Sequence, residues 1–156
     1  MKYWWISQGR NFRYEFENGF IWAPERSPGS LHHWDAVGQV RRDDVLFSYV
    51  RRAFIASGLA TSDPKPAPRP FGNVSGSGPE QQGCRVQVSY KLIDPPVSLT
   101  ALSREALMSL SGPRGPLNKH FTGNQGYLFA VPDAAAHELE RLISLCDSPR
   151  SRGDFI

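Results

Sequence analysis

The cleanest alternation of apolar and polar positions lies at residues 85–92, where Val86, Val88, Tyr90 and Leu92 interleave with Arg85, Gln87, Ser89 and Lys91. A period of two sends one set to a buried face and the other to water, which predicts a strand. Other extended stretches are shorter. Tyr3 to Ser7 is an aromatic-rich strand ending at Gln8-Gly9, and Phe20-Ile21-Trp22 is a short piece between a tight turn at Asn18-Gly19 and Pro24. Val45 to Val50 is a compact run of strand formers entered through the turn residues Asp43-Asp44, with Ala53 to Thr61 returning beside it as a hairpin partner. Tyr127 to Val131 predicts the last strand.

A three-to-four period appears in three places. Leu31, Trp34 and Val37 allow one or two helical turns, with Ser30 as cap. Leu99, Leu102, Ala106 and Leu110 form a stripe ended by Gly112-Pro113. After Pro132, Asp133 suits a helix start, and Ala135, Leu139, Leu142, Ile143 and Cys146 share one face. Between these elements, residues 63–83 carry prolines at 64, 66, 68, 70 and 79 with several glycines and serines, a long loop with little to bury. Residues 114–126 make a second polar loop, and residues 148–156 a loose tail. The order predicts an α+β fold: a small mixed β-barrel of about five or six strands with short flanking helices, since bending such a sheet removes its open edges.

Length changes the picture only by limiting it. The chain has 156 residues, enough for one real core, so residues 1–146 are expected to form one domain and 147–156 a tail or linker. Two cysteines, Cys84 and Cys146, are too few for a disulfide framework and show no zinc spacing. The N-terminus lacks the long apolar core of a secretory signal, and no stretch approaches ~20 apolar residues. A reduced, cytoplasmic setting without membrane contact is the expectation.

The net charge of +3 is mild, but the basic residues are mostly arginine, which suits bidentate phosphate contact. Arg10, Arg13, Arg41, Arg42, Arg51 and Arg52 are the candidates to follow a nucleic-acid backbone, against the plainer reading of a solvated face. All four tryptophans fall in the first 34 residues. Trp4, Trp5 and Trp34 divide between core packing and ligand stacking, while Ala23-Pro24 after Trp22 suggests a surface turn and an available ring. His32, His33 and Asp35 invite a metal or nuclease reading, but adjacent histidines point apart and a third ligand is not evident. Cys84 and His120 have nothing in the sequence that pairs them for nucleophilic catalysis. No catalytic residue, metal or cofactor is expected.

The succession YWWISQGR, IWAP, LHHWDAV, a charged turn, DVLFSYV and, later, GNQGYLFAV resembles the EVE family of the PUA superfamily over residues 2 to 145. More narrowly, it is similar to the EVE-like N-terminal domains of modification-dependent HNH endonucleases. That family is related in fold to YTH domains, which hold a methylated base in an aromatic cage on a small β-barrel. The resemblance implies base reading without catalysis. On that analogy Trp22 would stack on the base, with Ala23 beside it. Ser7, Gln8 and Asn11 would bond the base edge, and Asn124 and Gln125 would close the pocket. Residues 77–83 lack the aromatic that related domains carry there, so Phe71, Tyr49 and Trp34 are the candidates for the second wall.

The resulting expectation is a noncatalytic domain that flips a modified base of DNA into an aromatic pocket. The base would be a C5-modified cytosine, 5-methylcytosine or 5-hydroxymethylcytosine, and the setting a restriction system with a fused or associated nuclease. A reader of modified RNA is the first alternative, and a small metal-dependent nuclease built on His32, His33 and Asp35 the second.

Overall fold

The computed structural model describes residues 1–24, 32–70 and 82–146, and of residues 32–35 the backbone alone. In chain order the elements are β1 (Tyr3–Ser7), α1 (Phe12–Asn18), β2 (Phe20–Pro24), a 3-10 helix (His32–Gln39), β3 (Val45–Val50), β4 (Ala53–Ala60), β5 (Lys65–Pro68), β6 (Gln82–Ser98), α2 (Arg104–Ser109), β7 (Leu128–Val131) and α3 (Asp133–Cys146). Six strands form a path β2-β6-β4-β3-β1-β7, and β5 adds to β6 off that path. The β1–β3 pair is parallel and the others are antiparallel, so the sheet is mixed. Curled into a half-barrel with short helices, it is the α+β architecture expected.

Side-chain alternation divides the sheet into two faces. Along β1, Tyr3 and Trp5 enter a cluster with Phe47, Phe54, Phe129, Leu110 of the segment after α2, and Ala135 and Leu139 of α3. Trp4 and Ile6 enter a second cluster with Ile21, Ala23, Leu46, Val86, Val88 and Leu128. The second cluster draws residues from both end strands, β2 and β7, and such residues meet only on the concave side. The first is therefore the outer face, roofed by α2 and α3. Between β2 and β7 the half-barrel has a seam, and the 3-10 helix packs on both strands there, with Ala36, Val37 and Val40 in the inner cluster.

Two departures from the sequence expectation have local causes. The alternation of β6 holds through Tyr90 but fails at Leu92, which is 55% exposed, while Ile93 is buried. The register jumps there: Leu92 pairs with Ala56, but the next pair recorded toward the strand's end is Val97 with Phe54. Asp94-Pro95-Pro96 lies in the excess, and proline has no N–H to give a ladder. The bulge turns Ile93 and Val97 to the helix-covered face. Residues 65–68, expected as loop, are instead β5, whose Pro66 and Pro68 pair with Cys84 and Gln82; an edge position is where strand prolines are tolerated.

Helix α1 was not foreseen. It occupies the stretch between the first two strands and ends at Gly19, whose φ of 69° and N–H bond to the Glu15 carbonyl make it a left-handed cap. The Asn18-Gly19 turn thus belongs to a helix end. The tail at 147–156 and the Ser30 cap lie outside the described residues.

Candidate nucleic-acid interface

Where β1 ends, the chain passes within one residue from buried Gln8 to exposed Gly9 and Arg10. Gln8 and Asn11 are polar yet only 4% and 5% exposed. α1 then carries Glu15 back under this point, and its carboxylate has no solvent exposure at all. A buried charge is tolerated only with donors around it. Tyr127, just before β7, donates its hydroxyl to Glu15 Oε1 and Oε2 at 2.7 and 2.6 Å. Gln8 Nε2 donates to Oε1 at 3.2 Å, and the Trp22 backbone N–H of β2 to Oε2 at 3.2 Å. Gln8 Nε2 also reaches Tyr90 Oη at 2.9 Å, and Tyr90 donates onward to the Phe20 carbonyl at 3.0 Å.

One carboxylate therefore ties β1, β2 and the start of β7 together at the seam, with β6 joined through Tyr90. Burial pushes the Glu15 carboxyl up to about 7, against the opposing pull of the Tyr127, Gln8 and Trp22 hydrogen bonds. Tyr127 and Tyr90 are held well above the usual phenol range, first by burial and then by the Glu15 charge. Both remain neutral donors at any ordinary pH.

Trp22 is buried at 1% exposure, not set at a surface turn as the following Ala-Pro suggested. Alternation along β2 explains this: Ile21 and Ala23 point into the inner cluster, and Trp22 belongs to neither cluster. Its indole reaches across β6 and donates its N–H to the Ala67 carbonyl of β5 at 3.0 Å. Gly83 of β6 makes this crossing possible, because a Cβ there would stand 2.5 Å from the indole and 2.2 Å from the Ala23 carbonyl oxygen. The ring is thus pinned in a side compartment formed by β2, β6 and β5. At 1% exposure the ring presents no open face, and a base could stack on it only if the compartment opened.

The other expected site residues are dispersed. Ser7 and Tyr49 are neighbours in register on β1 and β3 but belong with the outer face: the Ser7 hydroxyl accepts the Trp5 indole N–H at 3.0 Å, and Tyr49 packs on Trp5 at 4.2 Å between ring centroids. Ala23 is in the inner cluster. Asn124 spends its amide on the carbonyls of Gly112, Gly115 and Leu117, stapling its own loop, while Gln125 is exposed. The structure does not bring Ser7, Tyr49 or Asn124 to Gln8 and Trp22. Phe71 lies outside the described residues, as do the side chains of Trp34, His32, His33 and Asp35.

The arginines likewise divide. Arg10 is exposed beside Gln8. Arg13 pairs with Glu17 at 3.3 Å, both largely exposed, an interaction of little consequence. Arg41 bonds the carbonyls of Gly38 and Val40, and Arg42 that of Thr61. Arg51 and Arg52 form the β3–β4 turn with φ of 51° and 65°, the left-handed pair that a tight hairpin requires. Asp44 is more than turn chemistry: its carboxylate accepts the Trp4 indole N–H and the backbone N–H groups of Lys2 and Arg41.

Among the described residues, no group of three or more His, Cys, Asp or Glu is placed to hold a metal ion. A hollow of about 340 Å³ lies between the outer sheet face and α3, lined in part by Phe47, Leu59, Lys91 and Ile143, and none of the expected site residues lines it. Among the described residues, no helix is long and apolar enough to cross a membrane.

Sequence reasoning missed Glu15, Tyr90, Tyr127 and Gly83. The signal for Glu15 was weak: one of two acids, with Glu17, in an aromatic-rich stretch, with Phe12 and Phe16 at helical spacing around it.

No protein-family model matches this chain, nor does any curated protein. Solved structures do. The YTH domain of Zygosaccharomyces rouxii MRB1, solved with N6-methyladenosine RNA, matches with a TM-score of 0.56 at 11% identity, covering 91% of this chain and 86% of that one. Human THYN1, solved with DNA containing 5-methylcytosine, matches with a TM-score of 0.54 at 10% identity, covering 95% and 99%. A protein from Pseudomonas putida matches with a TM-score of 0.59 at 12% identity, covering 90% and 99%. This chain has a YTH/PUA-like fold. In this YTH/PUA-like half-barrel the polar cluster of Gln8, Glu15, Tyr90 and Tyr127 stands at the seam, beside the β2 strand that carries Trp22.

Proposed function

We propose that this chain is a noncatalytic reader of a modified base in DNA, with a C5-modified cytosine, 5-methylcytosine or 5-hydroxymethylcytosine, as its ligand. The observation that carries the reading is the buried polar cluster at the end of β1, where Gln8 and Glu15 meet the backbone of Trp22. Such a group of oriented amide, carboxyl and phenol groups at the seam of the half-barrel suits the edge of one extruded base. The likeness to folds solved with 5-methylcytosine DNA and with N6-methyladenosine RNA supports it.

In this reading Arg10 contacts phosphate next to the site, and Trp22 offers its indole once the outer side of its compartment opens. Stacking on one ring contributes about 1–3 kcal/mol, so edge hydrogen bonds must add to it if a base is to leave a duplex. A fused or associated nuclease would supply any strand cleavage.

Titration of paired DNA duplexes that differ only in the C5 substituent tests the reading. Tighter binding of the modified duplex is expected, and equal affinity for both overturns it. The N6-methyladenosine RNA in one fold neighbour favours one other reading, a modified-RNA reader. Competition by the matching RNA decides between them, since recognition through a 2′-hydroxyl would make RNA the better competitor.

A further inference from the structure

Among the described residues two buried side-chain polar atoms have no hydrogen-bond partner in the protein, Gln8 Oε1 and Ser48 Oγ. They differ in place. Ser48 sits within β3 beside Ile6 and is fully enclosed, whereas Gln8 is the first residue after β1, adjoining exposed Gly9 and Arg10 at the seam. An amide oxygen left unpaired in a buried site is costly, and native folds keep few of them.

The orientation of the Gln8 amide is fixed by what surrounds its other end. Nε2 faces Glu15 Oε1, which accepts, and Tyr90 Oη, whose own proton goes to the Phe20 carbonyl. Turning the amide over would set its oxygen against the carboxylate. Both amide hydrogens are thus spent inside the cluster, and the acceptor is the end left over.

We propose that Gln8 Oε1 is a specificity-determining acceptor of the base site, selecting bases that carry an exocyclic amine, as cytosine and adenine do, over those presenting a carbonyl there, as thymine and uracil do. Glu15 is the positioning residue that holds the amide in the selecting orientation. The inference rests on the base-reading function proposed above and deepens it by naming the edge that is read.

Thymine provides the sharp comparison, because it shares the C5 methyl of 5-methylcytosine and replaces the amine with a carbonyl oxygen. The groups facing Glu15 are Gln8 after β1, the Trp22 N–H of β2, Tyr127 before β7 and Tyr90 of β6; the two phenols stay neutral where Glu15 titrates. Below that range a protonated Glu15 becomes a donor, the amide can turn over, and the selection weakens.

Single-stranded oligonucleotides identical but for one 5-methylcytosine, cytosine or thymine are titrated against the wild-type chain, Gln8→Met and Glu15→Gln. The wild type is expected to prefer 5-methylcytosine over thymine by on the order of tenfold or more, the equivalent of one hydrogen bond gained in place of a repulsive contact. Gln8→Met should bring that ratio near one while keeping the preference for 5-methylcytosine over cytosine. Glu15→Gln should lower it as well, and the wild-type ratio should fall between pH 8 and pH 5.5.

Retention of the full ratio in either folded variant overturns the proposal, and if Gln8→Met does not fold, Glu15→Gln with the pH profile decides. A wild type that separates 5-methylcytosine from cytosine but not from thymine overturns the amine selection and leaves base reading standing. Binding to none of the three overturns both.

Discussion

The helix-covered outer face and the seam of the half-barrel are built from similar aromatic residues and do opposite things with their polar atoms. On the outer face Trp5 and Ser7 satisfy each other, Tyr3 donates to Glu140, and most of the rest is apolar side chain packed under α2 and α3. At the seam a carboxylate with no exposure is held by three donors, and the amide that serves it has an oxygen left unpaired. Closed polar accounts mark a scaffold. The unpaired Gln8 oxygen at the seam is the position on which the base-reading proposal rests.

That contrast is tested most strongly by removing a large ring from each region. Trp5→Ala should cost about 3–5 kcal/mol in denaturant unfolding, because it opens a cavity among Tyr49, Phe54 and the outer cluster. Trp22→Ala should cost a similar amount, since Trp22 is equally buried, but should also weaken modified-base binding in the fraction that folds, which Trp5→Ala should not. A Trp22 variant that unfolds readily yet binds like wild type at saturating stability would move that ring to the scaffold.

The seam should also respond to pH where the outer face does not. Glu15 has its carboxyl raised from 4.5 to about 7, so the folded state holds a proton that the unfolded state releases. Its contribution is full below about pH 4.5 and is lost as the pH rises toward 7, at up to about 1.4 kcal/mol per pH unit. Stability should therefore decline over that window in the wild type and not in Glu15→Gln; superposable pH curves for the two would show that Glu15 does not titrate there. Tyr127→Phe should cost about 1–3 kcal/mol by removing a buried donor and should move the Glu15 carboxyl still higher, readable as a shift of the same window.

The smallest effects belong to the exposed arginines. Arg10→Ala should weaken binding of modified and unmodified DNA alike and reduce the salt slope by about one, as loss of a single phosphate contact does. Arg13→Ala, whose partner Glu17 is also largely exposed, should change stability by less than about 0.5 kcal/mol. An Arg10 effect confined to modified DNA would place that residue on the base.

Much of the scaffold was legible because period-two and period-four patterns report which face of an element is dry. β1, β3 and β4 fall within a residue of where the apolar pattern places them, as does α3, and Val86 and Val88 face inward as their alternation requires. Leu92 was misplaced because a bulge resets the period, and a pattern does not announce a change of register. Residues 65–68 looked like loop because proline disfavours strands, yet an edge strand pairing with β6 tolerates Pro66 and Pro68.

The candidate site residues were nominated by type and resemblance, and the fold sorts them. Gln8, Asn11 and Trp22 were singled out by residue type and by resemblance, and the fold buries all three at or beside the end of β1 and on β2. Ser7 and Tyr49 were grouped with them by nearness in sequence or by aromaticity, but alternation sends them through the sheet to the other face. Asn124 was nominated for its place before the last strand, and its amide instead closes its own loop.

The order of side chains along each strand decided which would be inside, and that much the amino-acid sequence determined unaided, because pleat and helix periods are local properties of the backbone. The tertiary structure alone brought Glu15, Tyr90 and Tyr127 to Gln8, with Glu15 and Tyr127 themselves 112 residues apart. A buried carboxylate has no sequence pattern of its own. It is stable only where donors from distant strands converge on it, and that convergence exists only once the sheet has curled and its seam has closed.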